Sequence, residues 1–338
     1  MSQKINVCIL GLGRAGMFHL RSVSSLNLFR LKYVVDPGLS QEDEIVKAHD
    51  FILLQHIEAA LSDPTLDAVI ISTPTQSHYA NIIRALEAGK HVFTEKPLGK
   101  AVEEIKHCYE LAKEKKLALH LGFQRRYDEN FVALKASLAD IGKIRTIKTS
   151  SRDNPKPSLD YLKISGNIFH DMLIHDFDML IYLLGMRIPQ SIYAIGHAYD
   201  QEIANIPDFD TVLVTLQYAE GLICAIDTSR IATYGYDQRI ELFGEHGMAI
   251  AENQKQNSVR LHTAEGMHLS PIQYSFPQRY QKAYAKEMRS FGEGILNNQL
   301  HNVSLEECIL AHLIADAAHT SATQRQVIDF QTFYHQFS

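Results

Sequence analysis

Asp171, His175 and Asp178 stand at i, i+4 and i+7. On a helix that spacing puts all three on one face. Leu173, Phe177, Leu180, Ile181 and Leu184 then form a separate apolar stripe that fixes the helix in a core. A carboxylate one turn from an imidazole can orient the ring and favour its protonated form once it has accepted a proton. That arrangement is a general base for a hydroxyl proton. The same spacing also suits a solvated polar face. Metal binding through Asp171 and His175 has the least support. His170 lies about 140° round the helix from His175, poorly placed as a third ligand. Neither an H-E-x-x-H motif nor clustered cysteine points to zinc, so no metal is expected.

A second candidate lies in Thr94-Glu95-Lys96-Pro97-Leu98, a charged pair at the end of a strand expected to be buried. A lysine there is costly to bury unless it is paired or used; a solvated loop lysine is the alternative. Earlier in the chain, Gly11-Leu12-Gly13-Arg14-Ala15-Gly16 is a G-x-G-x-x-G pattern directly after an apolar run and at the start of a helical one. Asp36 follows 20 residues after Gly16, at the end of the next apolar run. Each part has a task in binding a dinucleotide. Gly11 permits the tight turn, Gly13 lets a pyrophosphate approach the backbone, and Gly16 allows close helix–strand packing. The helix N-terminus attracts the negative charge, and Asp36 accepts hydrogen bonds from ribose hydroxyls. With no cation in Pro37-Gly38-Leu39 to neutralise a 2′-phosphate, the preferred cofactor is NAD. Ser72, Thr73, Pro74, Thr75 and His78 follow the third strand-like run on the same sheet edge, where small hydroxyl residues can line a cofactor. Glu95, Lys96 and Gln124, at later strand ends on that edge, complete the cofactor-binding set.

These residues need a scaffold that the first 120 residues supply by alternating strand and helix signals. Strands are expected at Ile5–Leu10, Leu31–Val35, Asp67–Ser72, His91–Thr94 and Leu117–Leu121, and helices are clearest at Tyr79–Ala88 and Val102–Lys115. Such alternation specifies a parallel sheet covered on both faces. From about residue 144 alternating runs with short turns predict a largely antiparallel sheet. They are Ile144–Ser151, Tyr193–Ala198, Thr211–Tyr218, Leu222–Thr228 and Arg239–Phe243, continued by Met248–Glu252, Ser258–Thr263 and His268–Ile272. One helix, Ile168–Leu184, is inserted early, and two close the chain near Gln281–Leu296 and Leu305–Thr320. The fold class is therefore α/β, with a Rossmann domain over residues 1–123. A second α/β domain, expected to bind substrate, follows over residues 124–338 with an open, largely antiparallel sheet. In that second part Arg125, Asp178, Tyr236 and Tyr280 join Lys96, Asp171 and His175 as candidate substrate ligands, the phenols Tyr234, Tyr236, Tyr280 and Tyr284 being read as exposed.

Composition excludes other classes. The 338 residues, about two domains' worth, carry 33 Lys+Arg against 39 Asp+Glu, a net charge of −6. That mild acidity argues against nucleic acid and anionic lipid as partners. No run approaches the roughly 18 apolar residues a membrane span needs. The four cysteines (Cys8, Cys108, Cys224, Cys308) are far apart and suit reduced thiols in the cytoplasm.

Five segments together resemble the glucose–fructose oxidoreductase/inositol dehydrogenase family of NAD(P)-dependent enzymes. They are Gly-Leu-Gly-Arg-Ala-Gly at 11–16, Glu-Lys-Pro at 95–97, Gly-Phe-Gln-Arg-Arg-Tyr-Asp at 122–128, Ser-Gly-Asn-Ile-Phe-His-Asp-Met-Leu-Ile-His-Asp-Phe-Asp at 165–178, and Arg-Tyr-Gln-Lys-Ala-Tyr-Ala-Lys-Glu at 279–287. Within the family the chain is most similar to inositol 2-dehydrogenases. The resemblance implies a Rossmann domain followed by an α/β domain whose sheet forms a homo-oligomer interface. It carries over Lys96, Asp171 and His175 as the catalytic set, with Pro97 in a cis-like turn that points Lys96 at a polyol or sugar. Two positions depart from the family pattern, Asn167 for a second glycine and Ile181 for an arginine. A cofactor-binding regulator without turnover, and a redox-neutral NAD-dependent sugar enzyme, are the alternatives to a dehydrogenase.

Overall fold

The computed structural model describes residues 4–337; residues 1–3 and 338, which the expected domains include, lie outside the described residues. The chain divides into two compact units, one formed by the residues to 127 together with 282–309, the other by 128–281 together with those from 310 on.

Six strands build the first unit: β1 (Ile5–Leu10), β2 (Phe29–Val35), β3 (Ile52–Leu54), β4 (Ala68–Ile71), β5 (His91–Glu95) and β6 (Leu119–Gly122). They pair in parallel in the order β3-β2-β1-β4-β5-β6, the doubly wound dinucleotide-binding arrangement with its reversal between β1 and β4. Strands buried on both faces read as continuous apolar runs, and β1 and β4 are buried almost throughout. β3 was not anticipated, because Ile52-Leu53-Leu54 is too short to signal itself. The principal helices here are α1 (Arg14–Ser25), α2 (His78–Glu87) and α3 (Val102–Lys115).

Residues 282–309 correct the expected boundary, which gave everything after 123 to the second domain. Met288 and Phe291 join Val7, Ile9, Val34 and Phe93 in the core of the first unit. Leu119 N donates to the Leu300 carbonyl at 2.8 Å and the Tyr109 hydroxyl to the Val303 carbonyl at 2.9 Å.

The second unit is built on β7 (Ile144–Arg152), β8 (Ser191–His197), β9 (Thr211–Gln217), β10 (Ile223–Ser229), β11 (Asp237–Gly244) and β12 (Met248–Ala251), closed by β15 (Ile328–Asp329). Their order is β12-β11-β7-β10-β9-β8-β15, antiparallel except for the pair β7–β10. Period-two burial runs along β9 and β10, with Val212, Val214, Leu216, Cys224, Ile226 and Thr228 turned inward. The last two runs do not continue this sheet. Among the described residues β13 (Arg260–Thr263) and β14 (Gly266–Leu269) pair only with each other, and every residue in them is exposed, so alternation there had no core to follow.

The inserted helix begins as a π-helical turn, Phe169–Leu173, and continues as α4 (Ile174–Leu184). Leu173, Phe177, Leu180 and Ile181 are buried as the stripe predicts, but so are Met179 and Leu183, and Asp171, Asp176 and Asp178 as well. The solvated-face reading of the Asp–His–Asp pattern is thereby removed. Two long helices, α5 (Phe276–Leu296) and α6 (Leu305–Gln324), follow. No described helix is long and apolar enough to cross a membrane.

Candidate active site

The glycine loop of the first unit is held from both sides. Gly11 sits at φ +86°, where an added Cβ would lie 2.9 Å from the Ser72 carbonyl oxygen. The Ser72 hydroxyl donates to the Gly11 carbonyl at 2.8 Å. A Cβ on Gly16 would stand 2.1 Å from that same Gly11 oxygen, so only glycine lets α1 lie this close to β1. Around the Cβ position of Gly13, by contrast, no atom of the described residues lies within 4 Å. The loop thus keeps open backbone where a pyrophosphate would rest, at the N-terminus of a helix whose first residues are Arg14 and Ala15. Asp36 does more than expected. Its Oδ2 accepts from the Leu12 amide at 2.7 Å and its Oδ1 from the Gly38 amide at 2.8 Å, so the carboxylate sets the loop and still has lone pairs for ribose hydroxyls. These groups fit a nicotinamide dinucleotide.

Ser72, Thr73, Pro74 and Thr75 follow β4 at the carboxyl edge of the sheet, with Ser77 donating to the Thr73 hydroxyl at 2.8 Å. His78 differs from expectation. Its ring is buried, with Nδ1 2.7 Å from the Pro97 carbonyl and Nε2 2.7 Å from the Thr73 carbonyl. Burial lowers its basicity against the opposing pull of the two carbonyls. The side chain ties two loops together instead of lining open space. The loop it reaches contains the cis Lys96–Pro97 bond implied by the family resemblance. Lys96 is half-buried there, next to Glu95, whose Oε1 lies 2.7 Å from Nε2 of the fully buried His19. Gln124 and Arg125 occupy a 3₁₀ turn after β6, and both are buried.

In the second unit Asp171 is buried on the π-helical turn and His175 half-buried on the first turn of α4. The Asp171 carboxylate accepts from the Tyr161 hydroxyl at 2.7 Å and from Arg230 at 2.8 Å. Arg230, fully buried, extends its other terminal nitrogen 2.8 Å to Asp208. Burial works against the guanidinium charge, but the two carboxylates outweigh it and raise its pKa. Asp208 also accepts from the Ile168 amide at 2.8 Å. Asn167, one of the two departures, caps this turn, its Oδ1 accepting from the Phe169 and His170 amides at 3.1 and 3.2 Å. Ile181, the other, is plain core. Asp178 is buried on α4.

Tyr161, Arg230 and Asp208 were missed by the sequence reading, since no spacing links them to residue 171. The phenols were misjudged. Tyr236, Tyr280 and Tyr284 are buried and only Tyr234 is exposed. Tyr280 packs edge-on against Tyr236 and lies under Arg279, whose guanidinium is paired to buried Asp128. The apolar bodies of these rings went into packing, which their polar tips did not reveal.

Two family models match the chain, one described as an oxidoreductase family with an NAD-binding Rossmann fold over residues 5–123, the other as a GFO/IDH/MocA C-terminal domain over 131–250. The inositol 2-dehydrogenase of Rhizobium meliloti is 38% identical over 325 residues, 95% of this chain and 97% of that protein. Among solved structures, a myo-inositol dehydrogenase from Corynebacterium glutamicum superposes with a TM-score of 0.89 at 32% identity, covering 96% of this chain and 98% of its own. A scyllo-inositol dehydrogenase from Lactobacillus casei, with bound NAD(H) and scyllo-inositol, does so with a TM-score of 0.88 at 26% identity over 97% of this chain and all of its own.

Proposed function

The chain belongs to the GFO/IDH/MocA family of NAD-binding oxidoreductases, and from that premise we propose that it oxidises a secondary hydroxyl of a cyclic polyol, with an inositol as substrate. The reading is carried by the near-complete match to a 38% identical inositol 2-dehydrogenase, in a chain that holds Asp171 and His175 on consecutive helical turns. Bound NAD supplies the hydride acceptor. His175 takes the hydroxyl proton, and Asp171, fixed by Tyr161 and Arg230, orients the imidazole. Lys96 donates to the reacting oxygen as it becomes a carbonyl, where stabilisation matters most. Gln124, Glu95 and the Ser72–Thr75 segment contribute to the cofactor site, and Arg125 and Asp178 to substrate selection. Tyr280, with its hydroxyl turned towards Gln238 in the core, is not retained as a ligand.

A panel of inositols, hexoses and sugar acids assayed with NAD for NADH absorbance tests this reading. At least one inositol should be turned over, and Lys96→Ala and His175→Ala should each lower kcat roughly 10²–10⁴-fold. The rate with His175 should rise with pH as the imidazole loses its proton, a limb that His175→Ala removes. NADH formation from no polyol would leave a cofactor-binding regulator or a redox-neutral enzyme.

The assembly is a homo-oligomer built on the second sheet, and the compartment the cytoplasm. Support for the first comes from the outward face, where Ile195 and Leu213 stand in register at 46% and 52% exposure beside Tyr193, Ile223, Phe243, Met248 and Ile250. An apolar face of this kind is the mark of an interaction surface. Light scattering should give at least a dimer, and Leu213→Asp a monomer; a monomeric wild type would end the proposal. The second is supported by four buried, unbridged cysteines, with burial pushing the Cys8 and Cys224 thiols up to about 12.

A further inference from the structure

Among the described residues, one cluster of ligating side chains stands outside those assigned to oxidation, and it lies wholly within the second unit. His170 leaves the π-helical turn, and His312 and Asp316 leave α6 one turn apart. Their ligand atoms all fall within 4.8 Å of one another. His170 Nε2 lies 2.9 Å from Asp316 Oδ1 and His312 Nε2 3.4 Å from Asp316 Oδ2, so one carboxylate sits between two imidazoles that present the same kind of nitrogen. We propose that His170, His312 and Asp316 form a binding site for a first-row divalent transition-metal ion, with Zn²⁺ its natural occupant.

The spacing favours such an ion. Zinc–ligand bonds of about 2.0–2.1 Å place tetrahedral ligands roughly 3.3 Å apart, a spacing bracketed by the 2.9 and 3.4 Å contacts of the two imidazoles with Asp316. Two nitrogens and one carboxylate oxygen match Zn²⁺ and its neighbours, whereas Ca²⁺ and Mg²⁺ ask for oxygen cages. Asp316 is 37% exposed at its side chain and His170 17%, which leaves room for entry and for a water as fourth ligand.

A second, independent observation concerns the far side of His170. Its Nδ1 lies 3.1 Å from Asn167 Oδ1. That atom also accepts the Phe169 and His170 main-chain N–H groups, which identifies it as the amide oxygen. Nδ1 therefore carries a proton, and Nε2 is left facing the Asp316 carboxylate, where it holds either a second proton or a metal ion. A hydrogen bond from the remote ring nitrogen is the usual outer support of a metal-binding histidine. An imidazole nitrogen facing a carboxylate oxygen needs a proton or a metal ion between them. A proton can serve one such contact, and a divalent ion serves all three ligands at once. The ion would also tie α6 to the turn that carries Asp171. Linear spacing shows only the pair on α6, so no zinc motif was legible.

The test uses the full chain stripped with EDTA and titrated with ZnCl₂ by calorimetry, with MgCl₂ and CaCl₂ as controls and thermal unfolding to establish that each variant is folded. One Zn²⁺ per chain should bind, with no heat from Mg²⁺ or Ca²⁺. His312→Gln and Asp316→Asn should each weaken it about 100-fold or more, and Asn167→Ala about 10- to 100-fold. Wild type should also give the intense visible absorption of tetrahedral Co²⁺, a reading that needs no variant to fold. Zn²⁺ affinity unchanged in His312→Gln and Asp316→Asn would mean an adventitious ion only, held elsewhere among the 17 histidines. That result, absence of binding, or an octahedral Co²⁺ spectrum would overturn the proposal.

Discussion

The role proposed for Asp171 requires a carboxylate held in place beside a cation, and Arg230 supplies that contact from a fully buried position. Removing one partner of a buried pair leaves an uncompensated charge, at a cost of about 3–5 kcal/mol. Arg230→Met strands two carboxylates, those of Asp171 and Asp208, so its stability loss should reach that range by denaturant unfolding. Asp171→Asn in the same chain should recover part of it, a coupling of about 0.5–3 kcal/mol. Strict additivity of the two single changes would show that the contact carries no energy. The candidates at 96, 171 and 175 could be singled out in advance because lysine at a strand end and Asp-x-x-x-His on a helix are local patterns. Arg230 could not, since it reaches residue 171 only through the pairing of β10 with its neighbours. The tyrosines misled for a related reason, because a phenol fits a wet cleft and a packed core equally well.

Among the elements, the loop between β1 and α1 was the most legible, since its demands are met within six residues. Gly13 and Gly16 carry different demands and separate in experiment. A Cβ on Gly16 collides with the Gly11 carbonyl, so Gly16→Ala must move main chain and should lose about 1–3 kcal/mol of stability together with NAD affinity. Gly13, at φ −67° with open space about it, should accept alanine without loss of stability yet bind NAD more weakly, because the new methyl occupies the approach to the backbone. Thermal unfolding and NAD titration of both variants check this, and equal NAD affinity in Gly13→Ala and wild type would refute the assigned role. Longer-range placement was not legible. The amphipathic run around residue 288 shows that a helix buries one face, but nothing in its periodicity says that the core receiving it lies in the first unit. β13 and β14 show the converse, a strand pattern with no core to cover.

For the molecule as a whole, buried and half-buried imidazoles set the response to acid. His78, His91, His120, His301 and His319 all have lowered pKa values, with burial the leading cause in each. His120 is the extreme case, pushed down to about 3 inside a cage of Phe93, Phe291 and Tyr127. In the unfolded chain the same ring titrates near 6.5. A folded pKa below the unfolded one means that the unfolded state binds the proton first. The neutral ring's contribution is therefore complete above about pH 6.5 and drains away as pH falls towards 3. Carboxylates with lowered values, such as Asp237 and Glu307, add to the loss only at more acid pH, once their unfolded forms begin to protonate. Stability should thus be level from pH 8 to 7 and decline from 6.5 to about 5.5, where histidine dominates the titration. His120 accounts for up to about 1.4 kcal/mol per pH unit of that slope. His120→Phe keeps the ring and removes the titration, so its unfolding free energy should fall less steeply over the same window, by one proton's worth. Denaturant unfolding of both proteins at half-unit intervals measures the two slopes, and parallel lines would mean that His120 is not the buried neutral base described.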